Sequence, residues 1–401
     1  MTRLRRLGDF LGLKKSIVGL LCMVILVGMG EKMAERFLPI YLIALGGGAI
    51  SIGLLNGLDN LLSALYSFPG GYLADRLGTK RALLVFNLVA MLGFVVVISV
   101  PTWPAVILGS VFFLSWTAIS LPATMDLVAK VLPKHKRTMG VSIHSLVRRV
   151  PMALGPVVGG LCIDRWGTKD GVRIAFVAAL GMAVVAAVAQ QILIEDEPRK
   201  QQAPASVRRN PFAVLREMRP ELWSLLVSDI LVRFCEQIPY AFVVVWAMQR
   251  IASPVSGTQF GILTSVEMVT AMLVYIPVAY LADRSHKKPF VVITFAFFTL
   301  FPLALMFCQS FGLLVAAFIL RGLKEFGEPT RKALIMDLAA EDRKALAFGA
   351  YYLMRDTVVS LAAFGGAFLW QISPQANFLA AFASGVLGTL WFAIRGRDLK
   401  N

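Results

Sequence analysis

The sequence predicts an all-α membrane protein made of two similar halves, each with six transmembrane helices. Three observations lead to this prediction. The chain is 57% hydrophobic and 16% charged, with a mean hydropathy of +0.72, whereas soluble proteins carry about 25% charged residues. Its apolar residues form runs of about 20, the length of a helix that crosses a bilayer. One pentapeptide also occurs twice, half a chain length apart.

The repeated pentapeptide is Tyr-Leu-Ala-Asp-Arg, and each copy ends an apolar run. The copies are Tyr72–Arg76 and Tyr280–Arg284. At the same offset Asp59 corresponds to Glu267, so each half has an acid within an apolar segment. A repeat spaced by about half the length of the chain is typical of transporters built from two related helical bundles.

Twelve apolar segments are long enough to span a membrane, and a polar linker at 195–221 separates them into two sets of six. The predicted domains are an N-terminal half, 1–194, and a C-terminal half, 222–401. The predicted spans are 17–45, 51–73, 81–100, 105–132, 140–162 and 173–194, followed by 222–248, 260–281, 289–308, 311–338, 345–370 and 378–394.

Lysine and arginine are concentrated at both termini and in the loops on one side of the predicted helices. Because positive loops face the cytoplasm, we predict cytoplasmic termini and a multi-pass location in the cell (inner) membrane. This distribution accounts for the net charge of +16 without nucleic acid as a partner. The expected partners are the lipid bilayer and a small-molecule substrate, and we expect a monomer.

Neither an enzyme nor a resident cofactor is expected. The four cysteines lie singly within apolar segments, without the spacing of metal ligands. The three histidines form no catalytic constellation. The sequence also has no phosphate-binding loop through which ATP could drive transport.

A loop motif follows predicted span 2. Its residues Gly71, Asp75, Arg76 and Gly78 belong to the stretch Gly-Tyr-Leu-Ala-Asp-Arg-Leu-Gly-Thr-Lys-Arg. This stretch resembles the loop signature of the major facilitator superfamily, and the resemblance covers nearly the whole chain. It implies the major facilitator fold and alternating access by rocking of the two halves.

The resemblance also implies a charge lock on the cytoplasmic side, formed by Asp75 and Arg76 with Asp126. The second copy is expected to lock more loosely, because Ala279 and His286 replace the two glycines. The predicted gating or lock residues are Asp59, Gly71, Asp75, Arg76, Gly78, Asp126, Glu267, Asp283, Arg284 and Asp337.

Predicted span 5 carries a second motif, Gly155, Pro156, Gly159 and Gly160. A Gly-Pro pair bends a membrane helix, and small residues allow a neighbouring helix to pack closely. Proton-coupled exporters of the superfamily have a similar motif at this position, so the resemblance favours export. Two features depart from those exporters: Pro151 replaces a glycine, and the apolar part of span 4 has no arginine.

Ionisable residues lie within several predicted spans, where each costs about 2.5–3.5 kcal/mol at the bilayer centre. In the superfamily, spans 1, 4, 7 and 10 line the cavity and spans 2, 5, 8 and 11 move beside them. That implies substrate or proton binding for some of these residues, although they could instead neutralise one another. Arg331 and Lys332 are expected to extend to the inner membrane surface. The predicted binding residues are Glu31, Glu35, Arg149, Glu236, Glu325 and Arg355.

Two transport functions fit these residues. The first is export of a small organic molecule, a drug or a metabolite, coupled to H+ through Glu31 or Glu35. The second is uptake or exchange of an organic anion bound by Arg149 and Arg355, which occupy matching positions in the two halves. A receptor or scaffold that transports nothing would leave the buried charges unexplained.

Overall fold

The computed structural model describes residues 15–114, 116, 120, 123–124, 127, 137–195, 218–282, 286–339 and 344–398. Only the backbone is described for residues 67–71, 74–75, 137–146, 275–276, 279–280, 282 and 344–346. Across these ranges the regular secondary structure is entirely helical, which confirms the predicted all-α class. Six described helices are long and apolar enough to cross a membrane, or seven if one bent pair counts as a single span. The count of twelve spans remains a prediction.

The helices of the first half follow the predicted spans. They are α1 (Lys15–Glu35), α2 (Leu38–Ala44), α3 (Ala49–Leu77), α4 (Thr79–Ser99), α5 (Trp103–Phe113) and α6 (Arg137–Leu193).

The helices of the second half also follow the predicted spans. They are α7 (Pro220–Tyr240), α8 (Val243–Val245), α9 (Gly257–Ala282), α10 (Lys287–Phe307), α11 (Phe311–Leu323), α12 (Glu328–Leu338), α13 (Lys344–Ile372) and α14 (Pro374–Arg395). A single π turn, Trp246–Arg250, follows α8.

Proline interrupts helices at three places where the apolar pattern alone predicts a continuous span. Pro39 has no N–H to bond the carbonyl of Glu35, so the first span divides into α1 and α2. Pro329 divides the tenth span into α11 and α12 in the same way. The seventh span bends by 41° just after Pro239.

Two predicted spans are joined in α6. This element has one non-helical residue, Gly167, whose φ of 78° lies in the left-handed region that favours glycine. Gly167 therefore divides α6 into a first part, which corresponds to predicted span 5, and a second part, which corresponds to predicted span 6.

The chain forms two compact units. Unit 1 contains Met1–Gly47, Leu65–Gln201 and Ser256–Ile262, and unit 2 contains Gly48–Ala64, Gln202–Val255 and Leu263–Asn401. Each unit consists mainly of one predicted half, together with the first turns of one helix of the other half. The predicted linker 195–221 lies largely outside the described residues.

The core of unit 1 combines aromatic packing with a satisfied polar network. Phe94, Phe113 and Phe176 meet with ring centroids 5.1–5.8 Å apart. Beside them, the buried Asn87 amide donates to Gln190 at 2.7 Å and accepts from the Trp116 indole at 2.9 Å. Because each of these buried groups has a partner, the network favours one arrangement of α4 on α6.

The core of unit 2 is built on α7. This helix packs against α13 and α14, and its apolar residues join those of α10 and α12 in one buried cluster. Phe295 and Phe392 meet edge to face in this cluster, with centroids 5.6 Å apart. The charged residues described below lie on this same side of α7, and Tyr351 of the cluster donates a hydrogen bond to Asp229.

Candidate functional site

The first charged cluster lies at the end of α1, in unit 1. The Glu31 side chain is only 4% exposed, and its Oε1 lies 3.2 Å from Lys32 Nζ. The same ammonium donates a hydrogen bond to Glu35 one turn later. One lysine therefore bridges two carboxylates, which brings the predicted residues Glu31 and Glu35 together. Arg148 of α6 lies within electrostatic range of Glu31.

The glycine–proline motif of α6 packs against this charged segment. A Cβ at Gly155 would lie 2.8 Å from the Cβ of Lys32, and a Cβ at Gly159 would overlap the Met33 carbonyl. Real side chains do not reach such distances, so α6 can approach α1 this closely only with glycine at both positions. The motif thus fixes the backbone that presents Glu31 and Glu35.

An adjacent face of the motif contacts the first turns of α9, which also belong to unit 1. Gly160 meets the backbone of Gly257, and a Cβ at Gly261 would lie 2.5 Å from the Pro156 carbonyl oxygen. All four motif residues therefore serve close helix packing, two against α1 and two against α9.

The second charged cluster lies in unit 2, around Asp229 of α7. Asp229 is 1% exposed and accepts hydrogen bonds from Arg331, from the Tyr351 hydroxyl at 3.0 Å and from Arg355 at 3.4 Å. Arg355 also binds Asp356 at 2.7 Å, and its guanidinium lies 4.2 Å from the centre of the Tyr352 ring. The predicted binding residue Arg355 is thus held by two carboxylates.

A chain of ion pairs continues from this cluster towards α9. Glu236 accepts from Arg233 at 2.5 Å and from Lys324 at 2.8 Å. Lys324 then lies 3.1 Å from Glu267, which is 1% exposed and also pairs with Arg321 at 3.3 Å. Each of these two acids has two cations, which compensates the cost of removing the charges from water.

Glu328 completes the network on α12. Its carboxylate accepts two hydrogen bonds from Arg331, at 2.7 and 3.1 Å, and lies 3.5 Å from Arg233. Arg331 is 1% exposed, so the expectation that it reaches the membrane surface is wrong. Two carboxylates that surround it make burial of the guanidinium possible. Lys332 has a side chain 47% exposed, with its Nζ 3.4 Å from Glu328 Oε1, and its extension to the membrane surface stays a prediction.

Aromatic side chains cover part of the network. The Arg321 guanidinium lies 5.4 Å from the centre of the Tyr240 ring and 5.0 Å from that of Phe301, distances typical of cation–π contacts. A small cavity opens between these groups. It is lined by Glu236, Tyr240, Val243, Phe297, Phe298, Phe301, Arg321 and Lys324.

The two remaining predicted binding residues, Arg149 and Glu325, lie on separate elements. Arg149 is half-buried in the first part of α6. Glu325 lies in the break between α11 and α12, where its carbonyl accepts from the N–H of Glu328 at 3.3 Å.

The predicted lock residues fall in different surroundings. Glu267 belongs to the buried network, Asp59 is half-buried on α3, and Asp337 pairs with Lys287 near the surface. Arg76 is exposed above the Tyr72 ring, and Gly78 has a φ of 82° in the turn before α4. Gly71 and Asp75 are described by backbone alone, and Asp126, Asp283 and Arg284 lie outside the described residues. The charge lock stays a prediction.

Sequence reasoning missed the central role of Asp229. A signal was present, because Asp229, Arg233 and Glu236 recur at helical spacing on one side of α7. Their partners on α12 and α13 could not be read from the sequence, since they come from more than ninety positions further along the chain.

Helices of membrane-spanning length with ion pairs buried between them define a polytopic membrane protein. The sequence profile of the Major Facilitator Superfamily matches residues 20–254 and 230–401. The chain belongs to this superfamily, whose members are transporters and not enzymes.

Individual relatives agree with this assignment. An uncharacterized MFS-type transporter of Methanocaldococcus jannaschii is 22% identical over 90% of both chains. The quinolone resistance protein NorA of Staphylococcus aureus is 26% identical over 47% of both chains.

Solved structures show the same fold. The nucleoside transporter NupG superposes with a TM-score of 0.83 at 14% identity, over 95% of this chain and all of that one. The peptide transporter POT in complex with sulfate gives a TM-score of 0.76 at 14% identity, over 95% of this chain and 94% of that one.

Proposed function

We propose that this transporter exports a small organic substrate in exchange for protons, by alternating access of its two halves. The observation that carries the proposal is the Glu31–Lys32–Glu35 arrangement, in which one ammonium is shared by two carboxylates at the packing surface of α6. In this proposal the protein lies in the cell (inner) membrane as a monomer, with twelve spans and cytoplasmic termini.

A shared lysine makes the charge state of this cluster sensitive to protons. A buried carboxylate without a full counter-charge costs several kcal/mol, and a proton removes that cost by neutralising one of the two acids. Lys32 can then serve the other acid alone. A cationic or hydrogen-bonding substrate would supply the same compensation, so substrate and proton compete for the cluster. Competition of this kind is the basis of exchange transport.

The helix α6 provides a link between protonation and conformation. It carries Arg148 and the glycine motif, packs on α1 beside Glu31 and also contacts the first turns of α9, so that separation of α6 from α9 would alter the surroundings of Glu31. The proton affinity of the cluster would then differ between the two access states, as coupling requires. The partial similarity to a quinolone resistance protein supports export as the direction.

The alternative, transport of an organic anion by Arg149 and Arg355, has weaker support. Arg355 already binds Asp229 and Asp356 and stacks on Tyr352. An anion would have to displace two carboxylates from this guanidinium. We therefore favour the exchange of protons for a neutral or cationic substrate.

The test uses purified protein in liposomes that contain a pH-sensitive dye. A gradient of lipophilic cations, neutral drugs or organic anions is imposed, and proton movement is recorded. We expect proton movement with cations or neutral drugs, and its loss in Glu31→Gln and in Glu35→Gln. The control is Asp170→Asn, which removes an exposed acid from the turn in α6. Anion movement without proton flux, sensitive to Arg355→Ala, would establish the alternative instead.

A further inference from the structure

Asp164 lies four residues after the glycine motif and binds the beginning of α9. Its Oδ1 accepts the Gly257 N–H at 2.7 Å. Its Oδ2 accepts the Thr258 N–H and the Ser256 hydroxyl, each at 2.9 Å. Both oxygens of one carboxylate are therefore occupied by the first turn of another helix, where free N–H groups and the helix dipole favour a negative charge.

The helix α9 also has a cap of its own. Ser256 and Gln259 already form a local cap, in which the Ser256 Oγ accepts the Gln259 N–H at 3.2 Å and the Gln259 side chain accepts the Ser256 N–H at 2.9 Å. Such a reciprocal pair is a sufficient N-terminal signal. The additional effect of Asp164 is to tie the start of α9 to α6.

The hydrogen bonds to Asp164 lie at the end of a glycine contact, through which the backbones of α6 and α9 meet directly. A Cβ at Gly257 would lie 2.8 Å from the Gly160 oxygen and 3.1 Å from Asp164 Oδ1. One turn further on, Gly261 lies against Pro156 and Val157. A contact through glycine brings two helices close together but places few interlocking side chains between them. The two helices can therefore separate without a rearrangement of large side chains.

The matching helix pair in unit 2 has the glycine contact without the carboxylate. Gly53 and Gly57 of α3 pack on the Phe364 region of α13. When Gly365 and Gly366 are matched with Gly159 and Gly160, the position of Asp164 is taken by Trp370. Trp370 stacks on Phe242 with ring centroids 4.7 Å apart. Among the described residues, the carboxylate tie therefore occurs at one of the two related helix pairs.

We infer that Asp164 is a positioning residue for transport, a latch between α6 and α9 that closes in one access state and opens in the other. The inference rests on the proposed function, because alternating access requires these helix ends to separate during the cycle. Opening exchanges three hydrogen bonds for contacts with water, so the latch sets the relative populations of the two states. Asp164 contacts no substrate in this role.

The test measures the distance between α6 and α9 in proteoliposomes. Spin labels are placed by Leu161→Cys and Ile262→Cys, at exposed side chains outside the latch, after the four native cysteines are replaced by alanine. In the parent protein we expect a distribution dominated by the short distance. Asp164→Asn should increase the ratio of separated to closed molecules by about tenfold, as expected when hydrogen bonds to a charged group are weakened.

Two further variants separate a latch from a structural cap. Asp170→Asn removes an exposed acid from the same turn and should leave the distances unchanged. Gly257→Ala leaves the carboxylate in place but crowds the Gly160 contact, and should increase the separated population as Asp164→Asn does. Unchanged distances in Asp164→Asn would overturn the inference, even if thermal stability fell, and a shift in Gly257→Ala would then show that the measurement responds to this helix contact.

The same measurement distinguishes failure of the latch from failure of the proposed function. It uses neither substrate nor a proton gradient. A protein that moves no protons can still show the shift in distances, and the inference then holds for another kind of transport. A protein that exchanges protons but shows no shift retains the proposed function and loses the latch.

Discussion

Asp229 and Arg331 form an ion pair in which each side chain is only 1% exposed. The pair joins α7 to α12 and is surrounded by Tyr351, Arg355 and Glu328. Burial of both charges is tolerable because each has further partners, and removal of either one leaves the other with its counter-charges incomplete.

Asp229→Asn should therefore lower the free energy of unfolding by about 3–5 kcal/mol, the usual effect of breaking a buried pair from one side. Arg331→Met should have a similar effect. The double variant should lose less than the two single variants together, because the ion pair between Asp229 and Arg331 is then lost only once. Thermal unfolding of the three purified variants would measure this coupling. Additive losses would show that the two residues act separately.

Gly159→Ala should reduce transport and stability together. The added Cβ overlaps the Met33 carbonyl, so α6 has to move away from α1 and from the Glu31 cluster. Gly181→Ala, in the second part of α6, is the matched control. A Cβ there meets nothing within 4 Å, and alanine is about 1 kcal/mol better than glycine in a helix. Transport rate and melting temperature of both variants test this prediction; equal behaviour would contradict the packing role of the motif.

The contribution of Asp164 to stability should depend on pH in one direction. Burial raises the pKa of this carboxyl, but hydrogen bonds from Thr258, Ser256 and Gly257 outweigh burial and hold the pKa below its usual value. A lowered pKa stabilises the folded state above the unfolded value of about 3.9, and this stabilisation is lost as the pH falls through the folded pKa.

The difference in melting temperature between the parent protein and Asp164→Asn should accordingly stay constant from about pH 5 to 8 and shrink below about pH 4. Asp170→Asn supplies the baseline for loss of an exposed acid. A difference that changes between pH 5 and 8 would mean that another titrating group controls the contact.

The variant Asp337→Asn should distinguish two roles of Asp337, one in the predicted cytoplasmic charge lock and one in stability through its ion pair with Lys287. Asp337 and Lys287 have side chains 42% and 27% exposed, so their pair is worth less than about 1 kcal/mol in the free energy of unfolding. If Asp337 belongs to the predicted cytoplasmic lock, transport falls while the melting temperature changes little. Lys332→Gln, which removes another partly exposed charge from α12, is the control.

The fold was predictable from the sequence because span length and the repeat are properties of consecutive residues. The apolar runs that flank Tyr72 and Tyr280 correspond to α3 and α4 and to α9 and α10. Helix breaks were less visible, because average hydropathy does not register the missing N–H groups of Pro39 and Pro329. Pro39 lies in an apolar run, whereas Pro329 lies in the charged stretch 324–332. The compact units also depend on packing, since Gly53 and Gly57 place the start of α3 against α13.

The candidate site was predictable only in part. Glu31 and Glu35 are one turn apart, and their shared lysine lies between them, so local spacing is sufficient. Arg331 was misjudged because its position near a helix end indicates exposure, while its burial depends on Asp229 in a distant segment. The role of Asp164 could not be predicted for the same reason, because its carboxylate oxygens accept hydrogen bonds from residues 256–258, more than ninety positions further along the chain.

The break between α11 and α12 affects how this region of the protein can be observed. Residues 324–327 form a joint, with the short helices Phe311–Leu323 and Glu328–Leu338 on either side. A tilt of one helix need not tilt the other, because the hydrogen bonds across the joint are i→i−3 bonds and the α-helical pattern is interrupted there. A label or a cross-link on α11 therefore reports on its own part of the span only. Recording the motion of this span requires one probe on each side of the joint.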